Sequence, residues 1–262
     1  MSDPRYPESL GFKSGTSGTH TSRTIMLAEL TLLLAAVGAG AAREDFIRAV
    51  VDDNVLGKST TSTRRISAQR LTELYALDTT VPIFRVLQRL WSVDRDAQPL
   101  LALLSSLARD PLLRCTASSV INLKSGQSLD RDAMIEALRL HAANRLNASI
   151  LEKVLRNASA SWTQSGHLVG RTFKKRQHVT PTPTVVTMAL FLGYLQGLRG
   201  AGLFRTLWCE VLDSTPETLT ALAVRASMAG FMRFRQSDDV IEIGFPDLLT
   251  VAENERITHG QN

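Results

Sequence analysis

The chain has 262 residues, of which 44% are hydrophobic and 21% are charged, so its composition is neither that of a disordered nor that of a membrane protein, and it is long enough for one large or two modest domains. The net charge is +5, and the excess lies in the middle of the chain, where residues 121–180 contain 10 basic and 4 acidic residues. Such a local concentration of positive charge favours a polyanionic partner, through electrostatic attraction and counterion release.

The chain begins with a polar segment that is followed by an apolar one. Residues 1–22 are rich in Gly, Ser, Thr and Pro, and we expect them to be flexible and to contribute nothing to a core. Residues 25–42 resemble a signal or membrane segment, but they contain Glu29 and continue into an amphipathic stretch, so they predict a buried helix over 25–53. The two cysteines are isolated, which is typical of a reducing compartment. We therefore expect a cytoplasmic protein without membrane association.

The sequence GKST at 57–60 resembles the end of an ATPase phosphate-binding loop. Such a loop needs a glycine five positions before its Gly-Lys pair, and it must follow a strand. Asp52 occupies that position, and the residues before it predict a helix. We therefore interpret the GKST sequence as a false match and expect no nucleotide there.

Basic residues follow this motif into the next predicted helix. One interpretation is contact with phosphates, because backbone N–H groups at a helix N-terminus favour anions. The other is that the arginines pair with the acidic residues at 44–53. The residues that the first interpretation assigns to DNA binding are Lys58, Arg64, Arg65 and Arg70.

Apolar residues at helical spacing predict three helices, over 66–77, 81–93 and 97–110. The short loops between them favour antiparallel neighbours, hence a helical bundle. Further along, Ser128 is a predicted N-cap, and one long helix is predicted over 144–168.

We place a domain boundary near residue 121. The predicted organisation is a flexible segment over 1–22, a helical bundle domain over 23–121 and a C-terminal helical domain with a winged-helix-like end over 122–262.

The densest basic run lies in the middle of the chain. No acidic residue lies between Glu152 and Glu210, so nothing nearby in the sequence neutralises the run, and Pro181 and Pro183 end regular structure after it. We interpret the run as a phosphate-contacting patch, with a solvated loop as the alternative. Its members are Arg171, Lys174, Lys175 and Arg176.

The last third of the chain has a different pattern. Helices are predicted over 185–198, 202–213 and 216–229, and alternating apolar residues on both sides of a polar turn predict a β-hairpin. Three helices and a hairpin are the element order of a winged helix. Residues 181–262 carry a net charge of −3, which also fits a lobe that binds protein or only packs. The candidate DNA contacts here are Arg225, Arg233 and Arg235.

The sequence contains no recognisable catalytic or metal-binding set. Its five histidines are scattered, and their spacing indicates neither a two-histidine metal site nor a Ser-His-Asp set. We therefore expect a protein that is not an enzyme and that needs no metal or cofactor.

Three stretches resemble one known family. They are YPESLGFKSG near the start, NVLGKSTTSTRR followed by RLTELYALD, and FRVLQRLWSVDRDAQPLLALLSSLARDPLLRCTASSV. These stretches look like the BrxA family (DUF1819) of bacteriophage exclusion (BREX) defence systems. The resemblance is clearest over residues 5–121, and GHLVGR and FLGYLQGLRG extend it towards the C-terminus.

The resemblance implies a mainly α protein with an N-terminal bundle similar to the antitermination factor NusB. Together with the winged-helix-like lobe, this gives two helical lobes. The resemblance also implies a monomeric, non-enzymatic subunit that binds double-stranded DNA and works with other BREX subunits in phage defence. Two alternatives stay open: a protein-protein adaptor of the defence complex, and an RNA-binding, antitermination-like factor. The aromatic content of 6% disfavours a platform for stacked single-stranded bases.

Overall fold

The computed structural model describes residues 6–143, 145–238 and 240–259. Helices dominate these residues, and the strands form two separate antiparallel pairs, so the predicted mainly α fold with a small β-hairpin is confirmed. The helices are α1 Leu27–Ala36, α2 Arg43–Val51, α3 Thr61–Tyr75, α4 Pro82–Trp91, α5 Gln98–Arg109, α6 Pro111–Arg114, α7 Ser118–Ile121, α8 Arg131–His141, α9 Ala148–Gln164, α10 Pro183–Leu195, α11 Leu207–Glu210, α12 Pro216–Met228 and α13 Val251–His259. The strands are β1 Leu168–Val169, β2 Lys175–Arg176, β3 Arg233–Ser237 and β4 Val240–Gly244, and 3₁₀ turns cover Glu8–Leu10, Thr19–Thr21 and Gly200–Arg205.

Helices α5 and α10 form the centre of the molecule. Every residue of α10 from 184 to 195 is buried, as is every residue of α5 from 100 to 109. A helix that is buried all round must be covered by other elements: α10 packs on α4, α5, α11 and α12, and α5 also packs on α3, α6 and α9. The result is one cluster of buried apolar residues, which is continuous across residue 121. The domain boundary near residue 121 stays a prediction.

The N-terminal segment is not the flexible, coreless segment that the sequence predicts. Residues 1–5 lie outside the described part of the chain, but Leu10 and Phe12 are buried in the common core. His20 is also fully buried, and its ring nitrogen Nδ1 lies 2.8 Å from Oδ2 of Asp110. Because that partner is 90 residues away in sequence, local composition gives no sign of the order in this segment.

The apolar run forms two helices instead of the single helix predicted over 25–53. α1 ends at Ala36 and α2 begins at Arg43. Between them Gly40 has a φ of +78°, a conformation that glycine tolerates and that interrupts a helix. None of the described helices is both long and apolar enough to cross a bilayer.

Other element boundaries also differ from the predicted ones. The N-cap of α8 is Asp130 instead of Ser128, and its carboxylate accepts the backbone N–H groups of the first turn. α9 begins only after the N-cap Asn147, later than the helix predicted over 144–168. The helix predicted over 202–213 is a 3₁₀ turn followed by the short helix α11.

The C-terminal elements follow the predicted order of helices and hairpin. β3 pairs with β4 in a register that places Phe234 opposite Ile243. The N–H of Phe234 donates to Oγ of Ser227 at 3.2 Å and thereby ties β3 to α12. The sequence did not predict the β1–β2 pair or α13. The NusB-like and winged-helix-like identities of the lobes stay predictions.

Candidate nucleic-acid interface

A tight β-hairpin presents the basic run of the middle segment. β1 and β2 pair with Val169 opposite Lys175. Gly170 has a φ of +106°, and a Cβ there would lie 2.2 Å from the carbonyl oxygen of Phe173, so only glycine fits this turn. The turn leaves Phe173 81% exposed and Arg171 in solvent.

A third segment braces this hairpin. Residues 126–129 run beside β2: the N–H of Leu129 donates to the carbonyl of Lys174, and the N–H of Arg176 donates to the carbonyl of Gln127, both at 2.8 Å. The same segment leads into α8. The backbone pairing therefore fixes the start of α8 beside the basic hairpin.

A groove lies between the hairpin, the start of α8 and the middle of α9. It has a volume of about 260 Å³, and its lining includes four basic side chains and no acidic one. We call it the basic groove. Its charged members are Arg131, Arg156, Arg171 and Lys174, and Phe173 lies beside them.

The positive charge of the basic groove is largely uncompensated. Nη2 of Arg131 lies 3.0 Å from Oε2 of Glu152, but the two side chains are 56% and 50% exposed, and such solvent-screened pairs contribute little and open readily. Arg156 and Arg171 are exposed. Guanidinium groups arranged in this way can donate charge-assisted hydrogen bonds to phosphate oxygens.

The two lysines of the run have different environments. Nζ of Lys174 donates to the carbonyl of Gly170 at 2.6 Å, which closes the turn. Lys175 is exposed on β2. Successive strand residues face opposite sides, so the next side chain, that of Arg176, points inward.

Arg176 is not available to DNA, contrary to the prediction from the sequence. It is 1% exposed, and its guanidinium forms an ion pair with Asp213 and donates to the carbonyl of His167 at 3.3 Å. Asp213 also accepts the N–H of Val179 at 2.9 Å. This buried pair ties the hairpin to the segment after α11, so a distant carboxylate neutralises a cation that looks unpaired in the sequence.

His167, next to this ion pair, adds no positive charge at neutral pH. Burial lowers its pKa to about 4, although the hydrogen bond to the Val211 carbonyl alone would raise the pKa. Nε2 lies 2.7 Å from that carbonyl, and Nδ1 lies 2.8 Å from Oγ of Ser165. The neutral ring therefore serves to hold the backbone before the basic hairpin.

The basic residues before α3 and in its first turns bind mainly to the protein itself. Nζ of Lys58 lies 3.0 Å from Oε1 of Glu29. Arg64 donates to the carbonyls of Lys58 and Val51 at 3.2 and 3.3 Å. Lys58 and Arg64 therefore have partners other than the acidic side chains at 44–53, which was the alternative drawn from the sequence.

The remaining two candidates of α3 differ from each other. Nη1 of Arg70 lies 2.7 Å from Oε2 of Glu73. Arg70 lines a different cavity, which shares no lining residue with the basic groove. Arg65 is exposed. Of the four basic residues predicted in this region, Lys58 and Arg70 form ion pairs and Arg64 is bonded to backbone carbonyls, so Arg65 is the one left available to a partner within the described residues.

The three arginines of the C-terminal lobe are exposed on two elements that pack together. Arg233 and Arg235 share one face of β3, and Arg225 lies on α12. Arg235 lies opposite Glu242 in the hairpin register, so a neighbouring carboxylate offsets part of the charge. These arginines are a second set of exposed candidate contacts, and Glu242 lies opposite one of them.

Three members of the basic groove were not predicted from the sequence. Arg131 and Arg156 precede Arg171 by 40 and 15 residues, and only the packing of α8 and α9 against the hairpin brings them together. Phe173 lies within the basic run in the sequence, but the sequence alone indicated no role for it. Its only sequence signal is an aromatic residue among cations.

A buried arrangement of Ser, His and Asp also went unpredicted. Nδ1 of His20 lies 2.8 Å from Oδ2 of Asp110, and Nε2 lies 2.8 Å from Oγ of Ser161. These three side chains are at most 1% exposed, so a substrate cannot reach them in this structure. Oγ of Ser161 also donates to the carbonyl of Asn157 and accepts the N–H of Ile25. The network therefore anchors the N-terminal segment to α9 and to the end of α5.

The comparisons with known proteins give no assignment. No protein-family model matches the chain, and no curated protein matches it. Within the described residues, no group of three or more His, Cys, Asp or Glu side chains is placed to hold a metal ion. The function of the basic groove must therefore be inferred from its own side chains.

Proposed function

We propose that this protein is a non-enzymatic, cytoplasmic and monomeric DNA-binding subunit of a BREX phage-defence system, as its resemblance to the BrxA family suggests, and that the basic groove contacts duplex DNA through phosphates. The observation that carries the proposal is the convergence of four basic side chains from α8, α9 and the β1–β2 hairpin, with no acidic side chain in the lining. Because two of the three elements are helices that pack on the core, the backbone positions of Arg131 and Arg156 are fixed before DNA arrives, which lowers the entropic cost of binding.

The groove is too small for a duplex, so the DNA backbone lies along its rim. Arg156 and Arg171 are exposed there and can each hold a phosphate through two parallel hydrogen bonds. Phe173, which is 81% exposed and also lines the groove, can pack on a deoxyribose. Contacts of this kind position a duplex without reading its sequence, so we expect weak sequence preference.

The arginines of the C-terminal lobe supply a second contact in this proposal. The exposed pair Arg233 and Arg235 lies on β3, where the wing of a winged helix touches the backbone, and Arg225 lies on α12. One arginine and small polar groups on α12 are a poor set for reading base edges. This surface therefore adds affinity more than specificity.

The test is a fluorescence-anisotropy titration of labelled random duplex DNA at several salt concentrations. The variant changes Arg156, Arg171 and Lys174 to alanine and leaves the buried Arg176 intact. Its matched control changes Arg48, Arg139 and Arg256, which are exposed arginines outside the groove and the wing, and so removes the same net charge. If about six phosphates are contacted, the affinity of the native protein falls on the order of a thousandfold between about 50 and 200 mM salt, and the groove variant loses about 0.9 of the log–log slope for each contact removed.

Two results would count against the groove as the DNA site. One is equal weakening by the groove variant and the control, because net charge alone would then explain binding. The other is a flat salt response of the native protein. Tighter binding to single-stranded or duplex RNA than to duplex DNA of the same length would favour the RNA-binding alternative.

A protein-protein adaptor is the second candidate, and one surface feature favours it. Met228 is 84% exposed at the end of α12, and Val240 is 71% exposed at the start of β4, both in the C-terminal lobe. Large exposed apolar side chains of this kind are common in protein interfaces. Changing Met228 to Asp should abolish binding to a purified BREX subunit and leave DNA affinity unchanged if the lobe is a docking surface. Unchanged subunit binding would remove this support.

A further inference from the structure

A large cavity lies apart from the basic groove, under the N-terminal segment. It has a volume of about 820 Å³, within the range of small-molecule sites. Its walls come from residues 8–21, from Arg70 and Glu73 of α3, from Arg109 at the end of α5 and from the segment before α9, which supplies Arg145. The N-terminal segment is therefore one wall of the cavity, held in place by the buried His20 network.

The lining of this cavity carries more positive than negative charge. Four basic side chains, those of Lys13, Arg70, Arg109 and Arg145, face two carboxylates, those of Glu8 and Glu73. The excess is distributed around one open cavity, so an anion inside it would be attracted from several sides.

Both carboxylates already have partners within the protein. Oε1 of Glu8 accepts the hydroxyl of Ser14 at 3.0 Å. Oε2 of Glu73 accepts the hydroxyl of Thr19 at 2.9 Å and Nη1 of Arg70 at 2.7 Å. Burial would raise the pKa of Glu73, but these hydrogen bonds hold it below its usual value. The one ion pair that these carboxylates form with the lining is that of Glu73 with Arg70, so among the described residues the positive charge of the lining is offset only in part.

Arg109 is the most buried of these cations. It is 9% exposed and donates to the carbonyls of Gly11, Thr72 and Glu73 at 2.5, 3.3 and 3.2 Å. Its partners are therefore neutral carbonyls, and burial lowers its pKa to about 10. A buried guanidinium without a carboxylate partner is costly unless an anion accompanies it.

Two further groups point to an anion in this cavity. Nε of Arg70 is buried and has no hydrogen-bond partner among the described residues. Lys13 is half-buried, and its pKa is lowered by burial and by repulsion from Arg109. An oxyanion in the cavity would stabilise the ammonium of Lys13 and attract the guanidinium of Arg70.

We propose that this cavity binds a small phosphorylated ligand, with its phosphate held by Lys13, Arg70 and Arg145 in front of the buried charge of Arg109. The hydroxyls of Thr16 and Ser17, which also line the cavity, are placed to donate to the remaining phosphate oxygens. The site is independent of the DNA-binding groove, because no residue lines both.

The experiment is an isothermal titration of the full-length protein with pyrophosphate, at constant ionic strength set with sodium chloride. We expect saturable binding with a stoichiometry near one. Lys13→Gln and Arg145→Gln should each weaken the affinity by about tenfold or more, because each removes a charge-assisted contact. Arg139→Gln, an exposed arginine on α8 outside the cavity, is the matched control and should bind as the native protein does.

Other results would overturn the proposal. Absence of saturable heat is one, and equal affinity of the Lys13→Gln, Arg145→Gln and Arg139→Gln variants is another. Arg145 is exposed, so its variant keeps the test valid even if Lys13→Gln loses stability, which thermal unfolding of each variant monitors. Comparing inorganic phosphate with a nucleoside monophosphate then distinguishes free phosphate from an organic phosphate ester, since only the ester gains contacts with Phe12 and Leu146 in the wall.

The DNA proposal and the cavity proposal fail separately. Arg171→Ala should weaken DNA binding and leave pyrophosphate binding unchanged. Lys13→Gln should weaken pyrophosphate binding and leave DNA binding unchanged. Competition between duplex DNA and pyrophosphate for the native protein would show that the cavity belongs to the DNA footprint, and would overturn the small-ligand proposal.

Discussion

The basic groove and the start of α3 both contain several basic residues, but they differ in how far those side chains are already bonded within the protein. At the start of α3, Lys58 pairs with Glu29, and Arg64 donates to two backbone carbonyls. In the groove, Arg156 and Arg171 are exposed and point towards a common space. A phosphate that approaches α3 must compete with existing contacts, whereas a phosphate at the groove meets unused donors.

The difference shows that positive charge in a sequence is not the same as positive charge available to a partner. A basic side chain donates its hydrogen bonds to the protein itself wherever the fold places a carboxylate or a carbonyl within hydrogen-bond distance. This applies even inside one run of residues, because Lys175 faces solvent and Arg176 is buried against Asp213. The predictions below test this distinction.

The largest effect is expected at the buried cation of the hairpin. Arg176→Ala leaves Asp213 buried without its partner, and it should lower the free energy of unfolding by about 3–5 kcal/mol. Urea denaturation followed by circular dichroism measures this loss. If Arg176 instead served DNA, the variant would keep its stability and lose affinity. A double-mutant cycle with Asp213→Asn separates the ion pair from the packing of the two side chains.

The buried carboxylate of the N-terminal anchor gives a pH-dependent version of the same test. Burial would raise the pKa of Asp110, but the charge and hydrogen bonds of His20 and the N–H of Leu113 hold it below its usual value of 3.8. A carboxylate whose pKa is lower in the folded state stabilises the protein above its unfolded pKa, and this contribution is lost as the pH falls through the folded pKa. Asp110→Asn should therefore cost about 2–4 kcal/mol at neutral pH.

This cost of Asp110→Asn should shrink as the pH falls below about 4, where the carboxyl of the unfolded chain becomes protonated, and it should be smallest once the pH lies below the lowered pKa of the folded carboxyl. Chemical denaturation of both proteins at several pH values measures the difference. A cost that does not change with pH would show that the carboxylate charge contributes nothing to the anchor.

The sequence predicted the helices better than it predicted the site. The central helices α5 and α10 were recognisable, because long apolar stretches at helical spacing have few alternatives. The N-terminal segment was wrongly expected to be coreless, since its order depends on Asp110 and Ser161 far along the chain. In the groove, Arg171 and Lys174 were found from charge density. Arg156 was not, because only the contact between α9 and the hairpin gives it a role.

Two single substitutions compare the two regions directly. Arg171→Ala should weaken duplex binding about five- to tenfold at low salt, as expected for one lost phosphate contact. Arg64→Ala should leave the affinity within about twofold and instead lower the stability by about 1–2 kcal/mol, because its two carbonyl contacts are lost. Anisotropy titration and denaturation of both variants measure the four quantities. Equal loss of affinity in the two variants would mean that the start of α3 also contacts DNA.

The smallest effect is expected for the ion pair that precedes α3. The side chains of Lys58 and Glu29 are 31% and 25% exposed and lie 3.0 Å apart. Water screens such a pair, so a double-mutant cycle with Lys58→Ala and Glu29→Ala should give a coupling energy of at most about 1 kcal/mol. The same Lys58→Ala variant should bind DNA as tightly as the native protein. If the DNA affinity of Lys58→Ala drops and that of Glu29→Ala rises, then the ion pair with Glu29 competes with a phosphate contact of Lys58. In that case the start of α3 also binds DNA.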